Sequence, residues 1–213
     1  RDIVVRAFHG IVVLPSVNDM PDGSVTHVSE QLLPISPVYT MPRVEGSLAV
    51  IAGSCSQATR RQIRYMAQRW PVYKIEPLLL EKDPTIVEEA VIWARAAGKE
   101  GPFLIYSSDA PEAVAKIQSQ LGRDKAGHIV ERALSDIAVR LYREGTRKFI
   151  VAGGETSGAV LEELGVQSLH IGPEIEPGVP WTVTETPDTV CLALKSGNFG
   201  GVDFFEKAWE MLP

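Results

Sequence analysis

Three short stretches of this chain combine glycine with hydroxyl side chains in a way that suits an anion: "GSCSQAT" (53–59), "GGETSG" (153–158) and "KSGNFGG" (195–201). Glycine removes the Cβ that would hold a phosphate away from backbone N–H groups, and a helix starting just after such a loop adds a partial positive charge. The hydroxyls of Ser54, Ser56, Thr156, Ser157 and Ser196 can add donors, and Lys195 can add a point charge. A triphosphate is the ligand that this chemistry suits. Neither of the two best-known glycine fingerprints is present, however. Gly153 and Gly158 have P-loop spacing, but Ala159 and Val160 stand where Lys and Ser/Thr belong, and "GGETSG" does not supply G-x-G-x-x-G. Each loop also has a plainer reading, in which Ser56, Thr156 and Asp203 are helix caps or first-turn residues and the glycines merely allow tight turns.

The shared address of the three loops is more informative than any one of them, and it follows from the elements around them. Apolar, β-branched runs at 47–53, 72–76, 102–108, 148–154, 168–172 and 189–195 read as strands. Helical stretches follow at 57–69, 84–97, from Asp109 and Pro111 to a break at Gly122, then 127–143, 157–164 and 202–212. This alternation predicts an α/β fold: a mostly parallel, Rossmann-like sheet with helices on both faces. Every strand-to-helix loop of such a sheet emerges at its carboxyl edge, where ligands bind. Gly154 is expected either to need a positive φ or to lie against a phosphate. Ser107, Ser108 and Asp109 form a fourth strand end, with Asp109 read as a cap. "PEIEPGVPWT" (173–182) reads as a rigid Pro/Gly loop whose tryptophan, Trp181, anchors it to the core or walls a base pocket.

Residues 1–46 differ in texture. A short "IVVLP" run and a turn-like "NDMPDGS" lead into "LLPISPVYTMPRVEG", whose spaced prolines predict an extended connector. The expected division is an N-terminal segment over 1–46, ending a substrate domain, and a nucleotide-binding domain over 47–213. The net charge of -6 over 213 residues argues against a nucleic-acid surface but leaves room for ATP in a backbone-lined pocket. No apolar run approaches the roughly 18 residues that span a bilayer, so no membrane partner is expected. Cys55 and Cys191 lack C-x-x-C neighbours and read as reduced thiols of a cytoplasmic protein. His9, His27, His128 and His170 have no metal-ligand spacing. The chain starts at Arg1, and Asp2 and Arg6 interrupt its first apolar stretch, so it reads as a processed or excised piece rather than as one carrying a signal peptide.

Four stretches in order, "GSCSQATRRQ", "VAGGETSGAV", "IGPEIEPGVPW" and "LKSGNFGGVDFF", resemble the C-terminal nucleotide-binding domain of the four-carbon acid sugar kinases. That family includes 3-oxo-tetronate 4-phosphate kinases and threonate or erythronate kinases. The resemblance covers residues 34–212 and implies an ATP-dependent phosphotransferase acting on the terminal hydroxyl of a small acid sugar. It carries the ATP role onto Ser54, Ser56, Gly153, Gly154, Glu155, Thr156, Gly197 and Gly200, with Gly158 and Lys195 in the same loops. Members bind the sugar acid through a separate N-terminal domain with an Asp-Asp-x-Thr-Gly motif. This sequence has no such motif, so the resemblance puts acceptor binding and the catalytic base outside these residues, and it leaves room for a homodimer. Phosphoryl transfer also implies Mg²⁺; Glu155 and Asp203 are candidates to reach it, although a salt-bridged or capping carboxylate is the plainer reading of each. The alternatives are another ATP-dependent ligase or synthetase and a non-catalytic nucleotide-sensing module.

Overall fold

A computed structural model of the chain describes residues 6–8, 11–13, 40–184 and 188–213. In chain order the strands are β1 (Arg6–Phe8), β2 (Ile11–Val13), β3 (Leu48–Ala52), β4 (Val72–Lys74), β5 (Phe103–Tyr106), β6 (Lys148–Ala152), β7 (Ser168–Glu176), β8 (Val179–Thr184) and β9 (Cys191–Lys195). The helices are α1 (Gln57–Met66), α2 (Pro77–Leu80), α3 (Thr85–Ala97), α4 (Pro111–Leu121), α5 (Arg123–Arg143), α6 (Gly154–Glu163) and α7 (Phe204–Glu210). One nine-stranded sheet runs β1-β2-β7-β8-β9-β6-β3-β5-β4.

The five strands from β9 to β4 are parallel, as the alternation predicts. Alternate residues of β3 serve two different cores. Ala49 and Ile51 pack with α3, α5 and α6, while Leu48, Val50 and Ala52 pack with α1, α7 and the β8 tryptophan. A strand covered on both faces must be apolar at every position, and "LAVIA" is buried throughout. From β3 the chain passes to the β4 edge and returns through β5; after β6 it moves to the other side and ends the parallel set at β9. The direction of winding therefore reverses between β3 and β6.

Several expectations need correction. Residues 173–182 are not a loop: β7 and β8 form an antiparallel hairpin that continues into β9. Register shifts between Ile171, Glu174 and Glu176 accommodate the proline-bearing strands, and Gly178, at φ 83, makes the turn. Trp181 is fully buried and its indole N–H donates to the Ala208 carbonyl at 2.8 Å, so it anchors the hairpin to α7. Helix α6 starts at Gly154, three residues earlier than its polar first turn suggested, and the short α2 was not expected at all. Strands β1 and β2 join the same sheet through β7. Residues 34–39 of the proline-spaced connector, the "NDMPDGS" stretch, His9 and His27 lie outside the described residues; residues 40–45 carry no helix or strand. Among the described residues no helix is long and apolar enough to cross a membrane. Cys55 and Cys191 are free thiols, and burial pushes that of Cys191 up to about 11.

Candidate functional site

Strands β3 and β6 end level, with Ala52 paired to Ala152, so the loops that leave them start side by side at the winding reversal. The N–H groups of Gly53 and Ser54 both donate to the Ala152 carbonyl, at 3.1 and 3.2 Å, and Gly153 N–H donates to Lys195 O at 2.8 Å. The loops then touch. A Cβ on Gly53 would sit 2.2 Å from Thr156 Oγ1, and one on Gly153 would sit 3.0 Å from that oxygen and 3.2 Å from Ser54 N. Gly153 also has φ 132, a region that suits glycine. The positive φ expected at Gly154 therefore belongs to its neighbour, because the turn out of β6 is completed before α6 begins. Gly154 itself faces open space.

The two helix starts differ in how they are closed. Ser56 caps α1, its Oγ accepting from Thr59 N–H at 3.1 Å. Helix α6 has no side-chain cap, and among the described residues the N–H groups of Gly154, Glu155 and Thr156 find no protein acceptor. Gly154 and Glu155 are exposed, and Glu155 has no ion-pair partner among the described residues. An uncapped first turn of this kind presents donors and the positive end of the helix dipole together.

That turn opens into a cavity of about 330 Å³. Its polar end is made by Gly53, Ser54, Cys55 and the 153–156 turn, with Ser107, Ser108 and Asp109 from the end of β5. Its apolar lining comes from Ile75 and Pro77, from Val114 and Ile117 of α4 and from Ala126 and Val130 of α5, with Gln118 and Glu131 adding polar groups. Helix α4 has no buried residue, so its apolar side chains Val114 and Ile117 serve the cavity rather than the core. Ser108 Oγ donates to Ser54 O at 2.7 Å and ties the β5 loop to the β3 loop. Asp109 is not a cap; it pairs with Lys74 at 2.7 Å, while Ala110 precedes α4. Burial alone would lower the Lys74 ammonium, but its bonds to Asp109 and Glu76 outweigh burial and hold it above the usual lysine range.

Of the residues expected from sequence, the cavity gathers Ser54, Gly153, Gly154, Glu155 and Thr156 and leaves out Ser56, Gly158, Lys195, Gly197 and Gly200. The 195–201 loop lies behind α1 instead. Lys195 is fully buried, and desolvation lowers its ammonium to about 8. Ser56 Oγ donates to Gly197 O at 2.5 Å, and Gly200, at φ 85, lies against Phe204. Asp203 precedes α7 without capping it. Sequence reading missed the whole apolar end of the cavity. The available signal was α4 itself, an amphipathic helix whose apolar positions 114 and 117 have no core to join. Among the described residues no group of three or more His, Cys, Asp or Glu side chains gathers as a metal site.

A parallel α/β sheet wound in both directions, with an uncapped helix N-terminus at the reversal, is the architecture in which ligands sit at the carboxyl edge between the two halves. The chain belongs to the family described as the nucleotide-binding C-terminal domain, which matches residues 49–205. It is 47% identical over 174 residues to the 3-oxo-tetronate kinase of Cupriavidus necator and 48% identical over 174 residues to that of Pseudomonas fluorescens, in each case over 81% of this chain and 40% of the relative. The chain thus spans about 40% of the length of the curated relatives it matches. The crystal structure of a Haemophilus influenzae protein of the DUF1537 family superposes with a TM-score of 0.78 at 36% identity, covering 84% of this chain and 43% of that one.

Proposed function

We propose that the chain is the ATP-binding part of a kinase that phosphorylates the terminal hydroxyl of a four-carbon acid sugar, 3-oxo-tetronate, threonate or erythronate. The observation that carries this reading is the uncapped first turn of α6, which opens into the polar end of a cavity whose other end is apolar. The adenine occupies the slot between α4 and α5. The phosphates lie over the N–H groups of Gly154, Glu155 and Thr156, and the Ser54 hydroxyl, which already accepts from Ser56 N–H at 3.2 Å, donates its own proton to them. Phosphoryl transfer depends mostly on positioning and on offsetting charge, and fixed N–H groups at a helix start do both without reorganising.

Mg²⁺ bound with the nucleotide would offset the negative charge of the phosphates. The site fits it: such an ion takes one or two carboxylates and completes its shell with phosphates and water, so a cluster of protein ligands is not required. Glu155, which has no ion-pair partner among the described residues, would hold it, whereas Asp109 is committed to Lys74. We assign acceptor binding and the catalytic base to the part of the relatives that this chain does not match, and the 1–46 segment to the approach to that part. Calorimetric titration with Mg-ATP tests the reading, together with a structure of the ADP complex. Saturable binding with ADP in the α4–α5 slot is expected; no binding to a folded sample, or ADP lodged elsewhere, would overturn it.

A further inference from the structure

The loop between β9 and α7 turns its carbonyl groups inward, onto three side chains. Lys195 Nζ lies 3.1 Å from Ser196 O, 3.1 Å from Gly197 O and 3.2 Å from Thr59 Oγ1, so three acceptors meet the three protons of an ammonium. Among the described residues no carboxylate pairs with it. Thr59 is buried, and its hydroxyl passes its own proton to Gly197 O at 2.9 Å. One turn along α1, the buried Gln62 places Nε2 3.0, 3.1 and 2.8 Å from the carbonyls of Phe199, Gly200 and Gly201. Five carbonyls of the loop thus lie within hydrogen-bond distance of these side chains, with Gln62 sharing its two amide protons among three of them.

Its outer side touches the nucleotide-facing loop. A Cβ on Gly197 would lie 2.1 Å from Ser54 Oγ and 3.2 Å from Ser56 Cβ, so the Gly197 backbone lies directly against the side chains of Ser54 and Ser56. A buried ammonium is costly, and without an anion its presence is explained only by what it binds. Here it binds carbonyls that would otherwise be buried without donors. Lys195 has no proton left for a phosphate and does not line the cavity.

We infer that Lys195, Thr59 and Gln62 are positioning residues for the nucleotide site: they fix the 196–201 loop from behind, and that loop, through Gly197, fixes Ser54 at the polar end of the cavity. The inference rests on the reading of that cavity as the nucleotide site. None of the three residues touches the nucleotide, yet each sets how well Ser54 meets the phosphates.

Hydrogen exchange on the nucleotide-free chain, paired with affinities for ATP and for adenosine, tests this. Gln62→Leu and Thr59→Val should speed exchange at 196–201 and also at 53–56. ATP affinity should fall about 5-fold, the net worth of one hydrogen bond, while adenosine, which uses only the apolar slot, binds as before. Thr59→Ser keeps the hydroxyl and should restore native behaviour in both measurements. Lys195→Met should resemble Thr59→Val; if it does not fold, the α1 variants carry the same test. Exchange that rises at 196–201 and stays native at 53–56, equal losses for ATP and adenosine, or a Thr59→Ser variant as weak as Thr59→Val would each overturn the inference. A native chain that binds neither compound removes the nucleotide reading itself, and the inference with it.

Discussion

The β3 and β6 loops are neighbours with similar compositions, yet their backbones are spent differently. In the β3 loop, Gly53 and Ser54 donate to Ala152 O, Ser56 donates to Ser54 Oγ, and Thr59 donates to Ser56 Oγ. Four of the seven backbone N–H groups of residues 53–59 are thus used inside the protein, and among the described residues those of Cys55, Gln57 and Ala58 find no protein acceptor. In the β6 loop only Gly153 is committed, to Lys195 O, and the next three N–H groups remain for a ligand. Glycine and serine content therefore does not mark an anion site by itself. What marks it is a helix start that its own side chains leave open.

Substitutions in the two loops can break or sharpen that contrast. The largest effect is expected at Gly53, where a side chain would run into Thr156 Oγ1. Gly53→Val should cost about 3 kcal/mol of folding stability through overpacking, measured by denaturant unfolding, and should take nucleotide binding with it. Gly154 has open space around it, so Gly154→Val should leave the unfolding midpoint near native. It should instead weaken ATP by about 2 kcal/mol in calorimetry by blocking the charge-assisted bonds at the α6 start. Unchanged affinity in the folded variant would return the β6 loop to a purely structural role. The smallest effect is expected at Ser56. Ser56→Ala removes the α1 cap and should cost about 1 kcal/mol of stability. Because it also removes the Ser56–Gly197 bond that joins the two loops, ATP affinity should fall about 5-fold, as in Thr59→Val, which is still less than in Gly154→Val. If Ser56→Ala weakens ATP more than Gly154→Val does, the contrast is reversed.

Much of this was legible in the sequence, for stated reasons. Strands β3, β5 and β6 are near-continuous apolar runs because helices cover both their faces, and the glycines that follow β3 and β6 mark the sheet edge. Ser54 and the 153–156 turn were legible because they directly follow those strands. The β7–β8 hairpin was not, since Pro173, Pro177, Gly178 and Pro180 read as breakers until bulges accommodate them. The apolar end of the cavity was hidden because it joins α4, α5 and the β4–α2 junction, which only the tertiary fold brings together. The role of Lys195 was hidden by its type: a lysine beside glycines suggests a phosphate ligand, and only its burial among carbonyls shows what it holds.

The anionless lysine also ties the chain's heat of unfolding to the buffer. Folded, Lys195 releases its proton near 8; unfolded, it keeps that proton to about its ordinary 10.5. Between these values the unfolded chain binds more protons, so stability rises with pH across this window relative to a chain lacking the lysine. Melting at pH 8.5 should then draw about three-quarters of a proton less from solution in Lys195→Met than in the native chain. Calorimetric unfolding enthalpies measured in buffers of different ionisation enthalpy would show that difference directly, as unlike slopes for the two proteins. The comparison also cancels the opposing contribution of Cys191, whose thiol stays protonated in the fold.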